Sequence, residues 1–139
     1  MKTGKLLSMI LFSVLLPISP ADCADGSEPA PGAVKHVDPK EAEKLIADKK
    51  VIILDIRTPN EFKTAHIAGA TNIDFLAQDF EKRISLLDTN KAYLVHCASG
   101  GRSTRSLPVL KKHQFEFLYH LDGGIKAWEK AGLPVDKPQ

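Results

Sequence analysis

Cysteine is nearly absent: the 139 residues hold two, Cys23 and Cys97. Two cannot build the disulfide framework that staples many small exported domains, so an apolar core must hold this fold. An excess of one charge is missing too. Nineteen lysines and arginines face 17 aspartates and glutamates, for a formal net charge of +2. Aromatics make up 6% of the chain. No basic stripe carries them interleaved, which argues against a nucleic-acid surface. A small anionic substrate stays compatible, because it needs only a local positive site. No apolar run reaches the ~20 residues that a membrane-spanning helix requires. No internal repeat and no second composition block divides the chain.

What is present falls into three stretches. Residues 1–21 read as a secretory signal: Lys2 and Lys5 form a basic start, residues 6–16 are apolar apart from small serines, and Pro17, Ser19, Pro20 and Ala21 form a helix-breaking end. Cleavage after Ala21 predicts a periplasmic or secreted protein with no membrane span. A cysteine just beyond, Cys23, keeps a lipoprotein alternative open, although Asp22 before it fits lipidation poorly. Removing Lys2 and Lys5 lowers the basic count from 19 to 17, equal to the acidic count. Residues 22–33, with Gly26, Ser27, Pro29, Pro31 and Gly32 and no large apolar side chain, read as a flexible linker. Residues 34–137 form one domain, about a hundred residues and enough for a single core.

Within that domain the pattern alternates. Val34 to Val37 suits a short edge strand. Asp38-Pro39-Lys40-Glu41 suits a capping box opening a helix whose apolar stripe is Ala42, Leu45 and Ile46. Val51-Ile52-Ile53-Leu54 is unbroken and β-branched, as a strand covered on both faces would be. Thr58-Pro59-Asn60-Glu61 repeats the capping pattern before a short helix. Ala70 to Ile73 reads as a strand. Asp74 is expected to cap a helix carrying Phe75, Leu76, Phe80, Ile84 and Leu87, and Asp88-Thr89-Asn90 a turn. Tyr93-Leu94-Val95 is a buried strand running into His96 and Cys97. A helix over about 103–113, a strand over 115–121, and a helix after Asp122-Gly123-Gly124 with Ile125, Trp128 and Ala131 inward complete the series. Gly132 and Pro134 end that helix. Strands alternating with helices imply an open, mostly parallel α/β sheet. Such sheets bind ligands beyond the carboxyl ends of their strands, and Cys97 lies at one of them.

The chemistry concentrates in Cys97-Ala98-Ser99-Gly100-Gly101-Arg102-Ser103. A strand delivers a thiol into a tight loop, and the loop opens a helix. Two glycines let several backbone N–H groups turn inward, and the helix N-terminus adds its positive dipole end. A thiol among such donors is expected to ionise below its usual pKa. Arg102 adds a fixed positive charge with planar donors. A lone cysteine is more often a buried structural residue; the loop, the arginine and the position between strand and helix favour function.

This stretch resembles the active-site loop of the rhodanese family, C-x-S-G-x-R-S. Three further segments are similar to that family. Asp55-Ile56-Arg57-Thr58-Pro59-Asn60-Glu61-Phe62 matches D-x-R-x-x-x-E-[FY]. His66-Ile67-Ala68-Gly69-Ala70-Thr71-Asn72-Ile73 matches H-I-x-G-A-x-x-I. Leu121-Asp122-Gly123-Gly124-Ile125-Lys126-Ala127-Trp128 matches L-x-G-G-x-x-x-W. The similarity covers about residues 36 to 135. Two departures stand out: Gln114 where the family often has glycine, so that turn is expected to differ, and Pro108 inside a helix, which suggests a kink or a later start.

The resemblance implies a five-stranded open parallel sheet with helices on both faces, and a sulfurtransferase. Cys97 would be the nucleophile. Ala98, Ser99, Gly100, Gly101, Arg102 and Ser103 would bind the anionic substrate and the persulfide, with the hydroxyls of Ser99 and Ser103 as donors, although Ser103 equally suits the N-cap of the next helix. The donor would be thiosulfate or a similar small anion, and the acceptor a thiol, cyanide in an assay, or a protein. No metal and no organic cofactor is implied. Asp55 orders the fold, Arg57 and Glu61 are expected to pair, His66 and His96 read as structural, and Trp128 as core. Two other functions share features with this one. A persulfide carrier or binding module would use the same loop without free turnover. Phosphatases and arsenate reductases use a thiolate loop of C-x5-R, one residue longer than the C-x4-R from Cys97 to Arg102.

Overall fold

A computed structural model describes residues 29–137; the leader and Cys23 lie outside them. Five strands form one sheet in the order β1-β5-β4-β2-β3, every neighbouring pair parallel. They are β1 (Val34–Val37), β2 (Ile52–Asp55), β3 (Thr71–Asn72), β4 (Ala92–His96) and β5 (Phe117–Leu121). Between them run α1 (Pro39–Ala47), α2 (Pro59–Thr64), α3 (Phe80–Ile84) and α4 (Gly101–Lys112), and α5 (Gly124–Lys130) closes the fold.

The central strands read as continuous apolar runs because both of their faces are covered. On one face Leu54, Tyr93, Val95 and Leu118 pack with Phe80 and Ile84 of α3 and Leu107 and Leu110 of α4. On the other, Ile53, Leu94, Tyr119 and Leu121 meet Ala42 of α1 and Ile125 and Trp128 of α5. Helices on both faces of a five-stranded parallel sheet are the expected architecture. At the edge of the domain, Gly32 donates its N–H to the Glu116 carbonyl at 3.0 Å, so the end of the stretch read as linker lies against the start of β5. Among the described residues no helix is long and apolar enough to cross a membrane.

Several local expectations change. The capping box of α2 forms in full, with Thr58 and Glu61 bonded reciprocally. At α1 only half forms: Asp38 accepts from the Glu41 N–H, but the Glu41 carboxylate turns to Lys35 at 2.9 Å. The long helix expected from Asp74 is one short helix, α3, because Asp74 caps a turn instead by accepting from the Leu76 N–H at 2.9 Å. Leu76 consequently points outward. Ala131 is exposed, not inward, because α5 stops at Lys130 and Gly132 (φ +78°) reverses the chain in a Schellman turn closed by Gly132 N–H to Glu129 and Leu133 N–H to Trp128. Pro108 sits inside α4 without delaying it; the helix starts at Gly101, two residues earlier than expected. Gln114 adopts a left-handed conformation at φ 58°, so the turn after α4 is made by a non-glycine residue at a cost of about 1 kcal/mol.

Candidate active site

The carboxyl ends of β2, β4 and β5 converge, and each delivers part of one site. Strand β4 ends at His96, and Cys97 follows at the floor of a loop. Gly100 takes φ +101°, a conformation side chains rarely adopt, and this single residue turns the loop into α4. Gly101 needs no such freedom; it is simply the first helical residue. One glycine, not two, therefore makes the turn.

The loop encloses the sulfur. The Gly100 N–H donates to Cys97 Sγ at 3.1 Å and the Ser103 hydroxyl lies 3.4 Å from it. Backbone N–H groups of Ser99 and Ser103 face it too. Burial pushes the Cys97 thiol up, but the Ser103 hydroxyl and the amides of Ser103, Ser99 and Gly100 outweigh it, and the thiol sits below its usual range. Cys97 is only 1% exposed, so these donors act in a low dielectric where they count for more than in water. Ser103 lies inside the first turn of α4 and is not its cap. That position turns its N–H toward the sulfur and sets its hydroxyl oxygen 3.4 Å from it.

The loop is held from two sides. At α5, Ile125 N–H donates to the Cys97 carbonyl at 3.0 Å and Lys126 N–H to the Ala98 carbonyl at 3.1 Å. This approach explains the second of the two glycines before it, while a Cβ on Gly123 would instead meet the Ala127 Cβ at 2.6 Å. A Cβ on Gly124 (φ +60°) would stand 2.5 Å from the Cys97 oxygen and 2.8 Å from Ala98 backbone atoms. On the other side Arg102 makes a two-pronged pair with Glu61, Nη1 to Oε2 at 2.7 Å and Nη2 to Oε1 at 2.6 Å. Hydrogen bonding to Arg102 is the main reason the Glu61 carboxyl is lowered from 4.5 to about 2. Arg102 thus ties the loop to α2 while its charge remains close enough to Cys97 for each to favour the other's ionised form.

Glu61 was expected to pair with Arg57, four residues away. Arg57 instead turns back onto Asp55, which is fully buried, with Nη2 to Oδ2 at 2.6 Å and Nε to both oxygens at 3.0 Å. It also donates to the Ala65 carbonyl at 2.7 Å. Asn72 bridges the Asp55 and Arg57 carbonyls, so this group clamps the ends of β2 and β3 beside the loop. A buried carboxylate outcompetes a helix-surface glutamate for the guanidinium, because leaving it unpaired would be far costlier.

The histidines separate. His66 bonds the Phe62 carbonyl and stacks on its ring, away from the sulfur contacts. His96 points Nδ1 at the Cys97 carbonyl at 3.1 Å, and burial lowers its pKa, so it stays neutral. A third histidine, His120, was not singled out from sequence, yet it is the one that reaches the site: its Nε2 lies 2.8 Å from Ser103 Oγ. The available signal was the spacing His120-x-Asp122 at the end of a strand predicted to lie in the same sheet as the cysteine strand, since residues two apart share a face. His36, His120 and Asp122 are also the one trio among the described residues with donor atoms close enough to hold a metal ion. Their separations, 2.7 Å from His36 Nδ1 and 2.9 Å from His120 Nδ1 to Asp122 Oδ1, are those of hydrogen bonds.

Comparison with known proteins agrees with this geometry. The family model described as Rhodanese-like domain matches residues 38–131. The chain is 30% identical over 101 residues to thiosulfate sulfurtransferase GlpE of Vibrio cholerae, covering 73% of this chain and 93% of that one. It is 28% identical to Rhodanese-like domain-containing protein 14, chloroplastic, of Arabidopsis thaliana, covering 74% of this chain and spanning 65% of that protein. The crystal structure of a rhodanese-related protein from Thermoplasma volcanium superposes with a TM-score of 0.68 at 27% identity, over 75% of this chain and 99% of that one. Sheet order, cysteine loop and sequence similarity lead to one conclusion: this chain belongs to the rhodanese-like domain family, whose members include sulfurtransferases.

Proposed function

We propose that the protein is a thiosulfate sulfurtransferase that works through a persulfide on Cys97. One observation carries this reading: the Cys97 sulfur lies among the Gly100 amide, the amides of Ser99 and Ser103 and the Ser103 hydroxyl. Donors converging on one sulfur stabilise a sulfur anion, first the thiolate and then the terminal sulfur of a persulfide. The thiolate attacks the outer sulfur of thiosulfate. A new S–S bond forms, the bond to the sulfite sulfur breaks, and sulfite leaves with the electron pair. The enzyme then holds Cys97–S–S⁻. A nucleophilic acceptor, cyanide or a thiolate, attacks the terminal sulfur, takes it, and returns the Cys97 thiolate. This is covalent catalysis in two half-reactions, and it consumes no metal or organic cofactor. A protein thiol could stand as the second acceptor in the same scheme.

The names of sulfurtransferase relatives support the reaction class, and the short C-x4-R loop favours sulfur over phosphoryl transfer. Mass spectrometry before and after thiosulfate tests the reading directly. The expected result is a gain of one sulfur atom on Cys97, thiocyanate formation on adding cyanide, and neither in Cys97→Ser. Efficient hydrolysis of an aryl phosphate by the wild-type protein, with no persulfide formed, would overturn it. Export to the periplasm or outside the cell belongs to the same proposal and rests on the leader pattern of residues 1–21. Sequencing of the mature N-terminus should read from near Asp22; a mature protein retaining Met1 would remove this part, and a lipid on Cys23 would replace it with a lipoprotein.

A further inference from the structure

Ser103 Oγ has one proton and three acceptors around it: the Gly100 carbonyl at 3.0 Å, His120 Nε2 at 2.8 Å and Cys97 Sγ at 3.4 Å. The contacts decide where that proton goes. The Gly100 carbonyl already accepts from the Thr104 N–H at 2.9 Å and the Thr104 hydroxyl at 2.8 Å, which fills its two lone pairs. Asp122 Oδ1 faces His120 Nδ1 at 2.9 Å and His36 Nδ1 at 2.7 Å. Burial pushes the Asp122 carboxyl up, but hydrogen bonds from His36 and His120 outweigh it and keep it lowered. An ionised carboxylate only accepts, so His120 must carry its proton on Nδ1. Its Nε2 is then a bare acceptor, and the Ser103 hydroxyl donates to it. The oxygen of Ser103 is left with lone pairs facing the Cys97 thiol.

We propose that Ser103, His120 and Asp122 form a proton relay that ionises Cys97. The proton on Sγ moves to Ser103 Oγ as the Ser103 proton moves to His120 Nε2. One S–H bond breaks and one N–H bond forms, and the serine hydroxyl is regenerated pointing the other way. The end state is a thiolate receiving a hydrogen bond from Ser103, which in turn accepts one from an imidazolium braced by Asp122. The total charge does not change, which suits a group that is 3% exposed at His120 and 1% at Cys97. The same imidazolium balances the persulfide anion until the sulfur leaves. His120 and Asp122 act through Ser103 and are positioning residues; His36 orients Asp122 from β1, its ring 4.9 Å from that of His120. Among the described residues, the titratable groups found against His120 are Asp122, His36, His96 and, beyond Ser103, Cys97.

The relay rests on Cys97 being the nucleophile, and its test is independent of turnover. The full chain carrying Cys23→Ser has one thiol, so thiolate absorbance at 240 nm reports Cys97 alone. Titration is run with EDTA, so that the trio acts by its protons and not as a metal site. His120→Gln should raise the midpoint of Cys97 ionisation by about one pH unit or more, because the base that receives the proton is gone. Asp122→Asn, on an exposed side chain, should raise it by about half a unit through loss of the charge bracing the imidazolium. The acid limb of kcat/KM for thiosulfate should move with each midpoint. A folded His120→Gln whose thiolate midpoint and acid limb coincide with wild type refutes the relay and leaves a structural hydrogen bond. If His120→Gln does not fold, an unmoved midpoint in Asp122→Asn refutes it alone. Wild-type protein that ionises as described but forms no persulfide would instead overturn the proposed function and spare the relay.

Discussion

The pair between Glu61 and Arg102 offers the sharpest test of how the cysteine loop is held. Glu61→Gln keeps the shape and removes the charge. The Glu61 carboxyl falls from 4.5 to about 2 in the folded protein, which taken at face value is at most about 3.4 kcal/mol of stability. The Glu61 side chain is 36% exposed, so solvent screening reduces this to about 1 kcal/mol. The group's folded pKa lies below its unfolded one. Its contribution is therefore complete above pH 4.5 and disappears as pH falls toward 2. Urea unfolding should show Glu61→Gln less stable than wild type by about 1 kcal/mol at pH 7, and the gap should shrink to a minor fraction at pH 3. The glutamine also frees the Arg102 guanidinium to move, so KM for thiosulfate should change while the far-ultraviolet spectrum does not. A gap that is equal at pH 7 and pH 3 would show that the ion pair does not stabilise the fold and that the loss comes from packing or from the capping of α2.

Other perturbations have equally definite outcomes. Gly124→Ala drives a methyl into the backbone of Cys97 and Ala98; sulfur transfer should fall at least tenfold, since displacements of about 1 Å suffice, and crystallography or thiolate titration would show the loop moved. Asp55→Asn leaves the Arg57 charge unpaired in a nearly dry site and should cost about 3–5 kcal/mol by urea unfolding. Gln114→Gly relieves a left-handed residue at φ 58° and should add about 1 kcal/mol, seen as a thermal midpoint several degrees higher.

Much of this was legible in advance because it depends on near neighbours in the chain. The Thr58 capping box, the Gly132 stop of α5 and the unbroken apolar strands follow from patterns a few residues long. Where the structure departs from those patterns, the cause is a contact distant in the chain. Asp74 can cap a helix or a turn, and only the Phe75 N–H bonding back to the Ile56 carbonyl at 3.1 Å makes the turn win. Gln114 looked incompatible with its turn, yet the packing of Phe115 against Tyr93 in the core holds the chain there at a local cost of about 1 kcal/mol.

The sequence by itself determined the parallel α/β class, the number of strands, and the loop from Cys97 to Ser103 at the carboxyl end of one of them. Those are matters of period, β-branching and short-range spacing, and each is complete within a dozen residues. Only the tertiary structure decided the partners. Arg102 meets Glu61 across 41 positions, Ser103 meets His120 across 17, and His36 meets Asp122 across 86. The sheet order brings β1, β5, β4 and β2 side by side with their carboxyl ends level, and a side chain's electrostatic partner is whichever group that register places within about 3 Å. Arg57 shows the rule at its plainest: sequence spacing pointed it at Glu61, and the buried carboxylate of Asp55 claimed it, because an unpaired charge in the core is the one outcome the fold cannot tolerate.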